Sequence, residues 1–121
     1  MAGPDNPLRV LLVEDEPLVA MLLQDMIEEL GGTVAGSFPR LAPALDFARS
    51  QADTFDVAIL DMNLGGERSE PLAEHLDAAG APFIFSTGYG GGGERWPNAP
   101  VLAKPYEISQ LKDALNAALA R

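Results

Sequence analysis

The chain has 121 residues, 47% hydrophobic and 21% charged, which suits one globular domain with its own core and excludes wholesale disorder. With 18 acids against 8 bases the formal charge is -10, a surface that repels nucleic-acid phosphates and anionic lipid. The absence of cysteine excludes a disulfide framework, thiolate metal ligation and thiol catalysis, and it fits a reducing compartment.

The opening MAGPDNPLRV lacks the basic region and apolar stretch of a signal peptide, and no apolar run is long enough to cross a bilayer, so a cytoplasmic protein without membrane or nucleic-acid partners is expected. Leu8 to Val13 reads as a strand buried on both faces. It stops at Glu14-Asp15-Glu16-Pro17, where proline and acids suit the start of a helix. Leu18, Leu22, Met26 and Leu30 recur at i+4, and Gly31-Gly32 ends that helix. A second strand is expected over Val34 to Phe38, then a second helix through Leu41, Leu45 and Ala48, with Pro43 in its opening turn.

Phe55 to Leu60 forms the third strand and ends at Asp61, and a short helix follows from about Pro71 to Ala79. Phe83 to Thr87 is the fourth strand, Val101 to Ala103 the fifth, and Ile108, Leu111, Leu115 and Leu119 mark the last helix. Apolar strands alternating with helices predict an α/β fold, a five-stranded parallel sheet covered on both faces, with ligands at the carboxyl ends of its strands. Ile108, Ala114, Ala117 and Ala118 can widen the last helix's stripe into a partner surface. His75 is expected on the surface, because a lone histidine builds no metal site.

Those ends carry chemistry. Glu14 and Asp15 follow the first strand, Asp61 closes the third, Thr87 the fourth, and Lys104-Pro105 follows the fifth. Crowded carboxylates repel unless a cation balances them. Oxygen-only donors suit Mg²⁺, with Glu14, Asp15, Asp61 and the backbone carbonyl of Asn63 as candidate ligands. A carboxylate beside Mg²⁺, a hydroxyl and an ammonium group can attack phosphorus, with Lys104 and Thr87 stabilising the transferring group.

Val13-Glu14-Asp15-Glu16-Pro17, Ile59-Leu60-Asp61-Met62-Asn63, Ser86-Thr87 and Lys104-Pro105 resemble, in order and spacing, the receiver domains of two-component response regulators. The resemblance covers essentially the whole chain. It implies a doubly wound, flavodoxin-like (βα)5 fold over a single domain, 1–121, with about 1–7 as a flexible N-terminus and no output domain. It further implies Asp61 as phosphoacceptor, Asp15 as a Mg²⁺ ligand beside Glu14, Thr87 as the switch hydroxyl and Lys104 as the partnering lysine, with a candidate cis Lys104-Pro105 bond. Pro82 to Gly90 also resembles the signature of the FAT GUY single-domain receivers, with Ser86 where alanine is usual. The implied function is a signalling protein rather than an enzyme. It would take phosphate from a sensor histidine kinase or histidine phosphotransfer protein and signal to an unidentified downstream protein.

Two features depart from the common receiver. Between the fourth and fifth strands, Gly88 to Pro100 holds five glycines and two prolines in thirteen residues, so the usual fourth helix is expected to be shortened or replaced by a glycine-rich loop, with at most one turn near Glu94 to Trp96. The run lacks the lysine of a phosphate-cradling glycine loop. Phosphorylation is expected to order it, and Trp96 is read as a loop anchor packed on the domain. The switch aromatic, normally three residues before the lysine, is replaced by Val101, which leaves Tyr89, Trp96 or Tyr106 to substitute. Two alternatives follow: a phosphorylation-independent pseudo-receiver, and a haloacid-dehalogenase-like phosphotransferase. The second lacks its acid, since Asn63 stands two residues after Asp61.

Overall fold

A computed structural model describes residues 7–88 and 94–120. Seven strands and four helices follow in order: β1 (Arg9–Val13), α1 (Pro17–Glu29), β2 (Thr33–Phe38), α2 (Leu41–Ser50), β3 (Val57–Asp61), β4 (Asn63–Leu64), β5 (Glu67–Arg68), α3 (Glu70–Ala78), β6 (Phe83–Thr87), β7 (Val101–Ala103) and α4 (Ile108–Leu119). Five strands form one parallel sheet in the order β2-β1-β3-β6-β7, and β4 and β5 make a separate antiparallel hairpin. The expected five-stranded doubly wound sheet is present, and its order reverses at β1, the switch point beside which ligands collect.

Each central strand alternates its side chains between two apolar layers. Leu11, Val13, Ala58, Leu60, Phe83 and Phe85 join Ala44 and Ala48 of α2 and Leu72, Ala73 and Leu76 of α3 on one face. Val10, Leu12, Val57, Ile59, Ile84 and Leu102 join Leu23 and Ile27 of α1 and Leu111, Ala114, Leu115 and Ala118 of α4 on the other. Burial on both faces is why these strands read as unbroken apolar runs.

The helix ends follow local chemistry. Pro17 sits in the first turn of α1. The helix stops in a Schellman arrangement: Gly31, at φ +88°, donates to the Glu28 carbonyl and Gly32 to that of Ile27. Gly80 closes α3 the same way, with Ala81 donating to Leu76. Glu107 and Gln110 form a capping box at α4.

Helix α1 lies where the i+4 series places it, but that series is not its buried face. Leu23 and Ile27 are buried, whereas Leu18 is 80%, Leu22 43% and Leu30 37% exposed. Of the residues named for widening the last helix into a partner surface, Ala114 and Ala118 are core, Ile108 is half-buried and Ala117 is exposed.

Between β6 and β7, the described residues 94–100 contain turns and no helix or strand. Trp96 is buried there, its ring centroid 5.6 Å from that of Phe85 and 6.2 Å from that of Phe83, with the Arg95 guanidinium 4.7 Å over it. The indole thus seals part of the sheet that a helix would otherwise cover. Residues 89–93 of the glycine-rich loop, which phosphorylation is expected to order and which include the candidate aromatic Tyr89, and residues 1–6 of the expected flexible N-terminus lie outside the described residues. No described helix is long and apolar enough to cross a membrane.

Candidate functional site

The carboxyl ends of β1, β3, β6 and β7 meet at one edge of the sheet. Register puts Asp61 opposite Ser86 and Thr87 opposite Ala103, and the Lys104 N–H donates to the Thr87 carbonyl at 2.8 Å. Parallel pairing therefore brings together residues scattered over ninety positions of sequence. They open onto a cleft of about 650 Å³ lined by Asp15, Glu16, Asp61, Asn63, Thr87 and Lys104, among others.

Asp61 is buried at 5% exposure, and its two oxygens are held differently. Oδ1 accepts the Asn63 N–H at 3.2 Å, and Oδ2 accepts from Lys104 Nζ at 3.0 Å. Lys104 Nζ also lies 3.0 Å from Glu14 Oε1 and 3.7 Å from Glu16 Oε1. Glu14 is buried; its Oε2 accepts the Glu16 N–H at 3.1 Å, while Oε1 has the ionic contact to Lys104 but no well-formed hydrogen bond. Burial opposes the charge on Lys104, but Glu14 and Asp61 together hold its pKa above the ordinary lysine value. Burial pushes Glu14 up to about 7; the Glu16 amide and Lys104 pull it down, and Asp61 raises it further.

All the expected site residues converge except in one respect. Glu14 lies beneath the cleft and faces Lys104 rather than lining the cavity, whereas Glu16 lines it. Glu14, Asp15 and Glu16 nevertheless offer carboxylate oxygens within 4.8 Å of one another. Four carboxylates against one lysine leave local negative charge, and an all-oxygen donor set fits a hard divalent cation such as Mg²⁺. The Lys104-Pro105 bond is cis. Val101, in place of the switch aromatic, lies on β7 and is 48% exposed. His75 is half-buried in α3.

Sequence reading missed the hairpin after Asp61. Gly65 and Gly66 both have positive φ, +60° and +98°, the two-residue turn that joins twisted antiparallel strands. This turn folds Arg68 back to the cleft edge, where its Nε donates to Glu70 at 2.8 Å. The adjacent Gly65-Gly66 pair was the available signal. Tyr106, buried two residues after Lys104, is the other element of the surroundings that only the structure places.

No family model matches the chain. It is 30% identical over 120 residues to the phyllosphere-induced regulator PhyR of Methylorubrum extorquens, across 95% of this chain and 45% of that protein. The chain spans less than two thirds of the curated relatives it matches. The solution structure of SdrG from Sphingomonas melonis Fr1 is 44% identical, covering 93% of this chain and 97% of that one at a TM-score of 0.82. The receiver domain of the Erythrobacter litoralis PhyR response regulator is 26% identical, covering 98% of this chain and 94% of that one at a TM-score of 0.78.

Proposed function

The chain belongs to the receiver domains of response regulators, and from that premise we propose that it accepts a phosphoryl group on Asp61 from a histidine kinase or histidine phosphotransfer protein and signals through protein contacts. The observation that carries this reading is the 3.0 Å contact of Lys104 Nζ with Asp61 Oδ2 at a cleft also lined by Asp15 and Thr87. In the reaction an Asp61 oxygen attacks phosphorus, the P–N bond of phosphohistidine breaks, and the imidazole leaves with a proton. Lys104 meets the negative charge gathering on the phosphoryl oxygens, and Thr87 donates its hydroxyl to one of them. Asp15, Asp61 and the Asn63 carbonyl would hold Mg²⁺, with Glu14 beneath them. The ion would neutralise phosphoryl charge during transfer.

The donor must reach the cleft, and the apolar side chains next to it favour a protein. Leu18, 80% exposed, and Met21, 61% exposed, stand on the first turns of α1, directly after cleft-lining Glu16. That patch gives a helical partner an apolar footing at the cleft edge. In this reading the protein is not an enzyme beyond hydrolysing its own acyl phosphate, it works in the cytoplasm, and the likeness of Pro82 to Gly90 to the FAT GUY signature supports a FAT GUY type of receiver. The exposed Val101, which leaves the usual aromatic relay without its residue, favours a pseudo-receiver as the second reading.

Phosphoramidate, a small P–N donor, separates the two. With Mg²⁺ the wild-type chain consumes it and Asp61→Asn does not; failure of the wild type with this donor and with a cognate phosphohistidine protein would favour the pseudo-receiver.

A further inference from the structure

Ser86 and Tyr106 are 1% and 5% exposed, and neither hydroxyl has a well-formed hydrogen bond. An unpaired buried hydroxyl is costly, and alanine and phenylalanine would fill the same places without one. The two hydroxyls nevertheless belong to one neighbourhood. Burial pushes the Tyr106 phenol up to about 12, the Ser86 hydroxyl acts on it in the opposite direction, and it senses the charges of Glu14, Lys104 and Asp61. Ser86 lies on the same face of β6 as Ile84 and pairs in register with Leu102, both of which pack with Tyr106, so the two hydroxyls share one layer without a hydrogen bond of good geometry between them.

Their places in the chain give the pair a role. Ser86 directly precedes Thr87, and its carbonyl accepts the Met62 N–H at 3.1 Å, tying it to the segment after Asp61. Tyr106 follows Lys104 by two residues and packs with Ile84 and Leu102 in the layer beneath β6 and β7. One hydroxyl is therefore joined to the strand carrying Thr87 and the other to the turn carrying Lys104. These are the two cleft-lining groups that would close on a phosphoryl group in the proposed reaction.

We propose that Ser86 and Tyr106 are a positioning pair for the phosphorylated state: when Thr87 and Lys104 draw in on the phosphoryl group, the two hydroxyls form a hydrogen bond that holds them there. The pair rests on the phosphoacceptor reading of Asp61. It gives the buried Tyr106 the part left open by Val101, without an inward swing of an exposed ring. A hydrogen bond available but unmade in one state, and made in another, shifts the balance toward the second.

Ser86→Ala, Tyr106→Phe and the double variant test this, using beryllofluoride with Mg²⁺ as the stand-in for a phosphoryl group. In the unmodified protein each substitution should leave the melting temperature unchanged or raise it, because it removes an unsatisfied hydroxyl. The beryllofluoride concentration at half-maximal thermal shift should rise about 3- to 10-fold in each single variant, the ratio expected for one net hydrogen bond. The double variant should show no more than a single one. A fall in melting temperature that is equal with and without beryllofluoride would assign the hydroxyls a purely structural role, satisfied by water or by each other, and overturn the proposal. So would additive effects. If wild type shows neither a beryllofluoride shift nor phosphoryl uptake, the reading of Asp61 fails and the pair with it; a normal wild-type response with unaltered variants sinks the pair alone.

Discussion

Lys104 Nζ lies 3.0 Å from Asp61 Oδ2, so a cation is in place at the strand-end carboxylate before any phosphoryl group arrives. Lys104 is drawn there by Glu14 as much as by Asp61, and its side chain is 16% exposed. Lys104→Met should slow phosphoryl uptake by roughly 100-fold, the scale of losing one preorganised charge-stabilising group. It should also lower the melting temperature without divalent cations, since Glu14 and Asp61 then face each other uncompensated, and Mg²⁺ should restore part of the loss. Uptake within about twofold of wild type would remove Lys104 from the chemistry.

Glu14 makes stability depend on pH in an unusual direction. Its carboxyl is raised from 4.5 to about 7, mainly by burial, so across that window the folded chain keeps a proton that the unfolded chain has released. The folded state binds more protons, and stability therefore falls as pH rises from about 4.5 to about 7. Asp56 behaves oppositely: its hydrogen bond to Arg9 lowers its pKa, and that contribution is lost only as pH falls below the ordinary carboxylate range. Glu14→Gln should flatten the decline in melting temperature over this window, measured in a chelator. An unchanged slope would show that Glu14 is not the group responsible.

Leu18 and Met21 test the docking surface apart from the chemistry. Both are exposed, so Leu18→Asp and Met21→Asp should change stability by less than about 0.5 kcal/mol. Transfer from a phosphohistidine protein should fall at least about tenfold, the scale of losing an interface hot spot, while uptake from acetyl phosphate stays as in wild type. Equal transfer from the protein donor would move the docking site elsewhere.

The two faces of α1 make a direct stability comparison. Leu23→Ala opens a cavity beneath β1 and β3 and should cost about 2 to 5 kcal/mol, whereas Leu22→Ala, at a 43% exposed position, should cost under about 1 kcal/mol. Denaturant unfolding of the two variants reads the difference.

That contrast marks where sequence reading reaches its limit. The strands, their parallel order and the acids and lysine at their ends were legible, because a strand buried on both faces is apolar throughout and the next residue must change character. All five sheet strands end within one residue of where the pattern places them, and β3 differs most at its start, Val57 rather than Phe55. The buried face of α1 was not legible, because Leu18-Leu22-Met26-Leu30 and Val19-Leu23-Ile27 are adjacent i+4 rows, both apolar, offset by about 100° around the helix. Only the sheet decides between them. The pairing of Glu14 with Lys104 behind the cleft lining was equally hidden, being a contact across ninety residues. So was the neighbourhood of Ser86 and Tyr106, which local pattern cannot encode.

The most direct test is the intact mass of the chain after incubation with acetyl phosphate, with and without Mg²⁺, beside Asp61→Asn. One added phosphoryl group of about 80 Da, requiring both Mg²⁺ and Asp61, is the predicted result. An adduct that persists in Asp61→Asn, or one that forms equally well in a chelator, would contradict the assignment of Asp61 and its divalent cation.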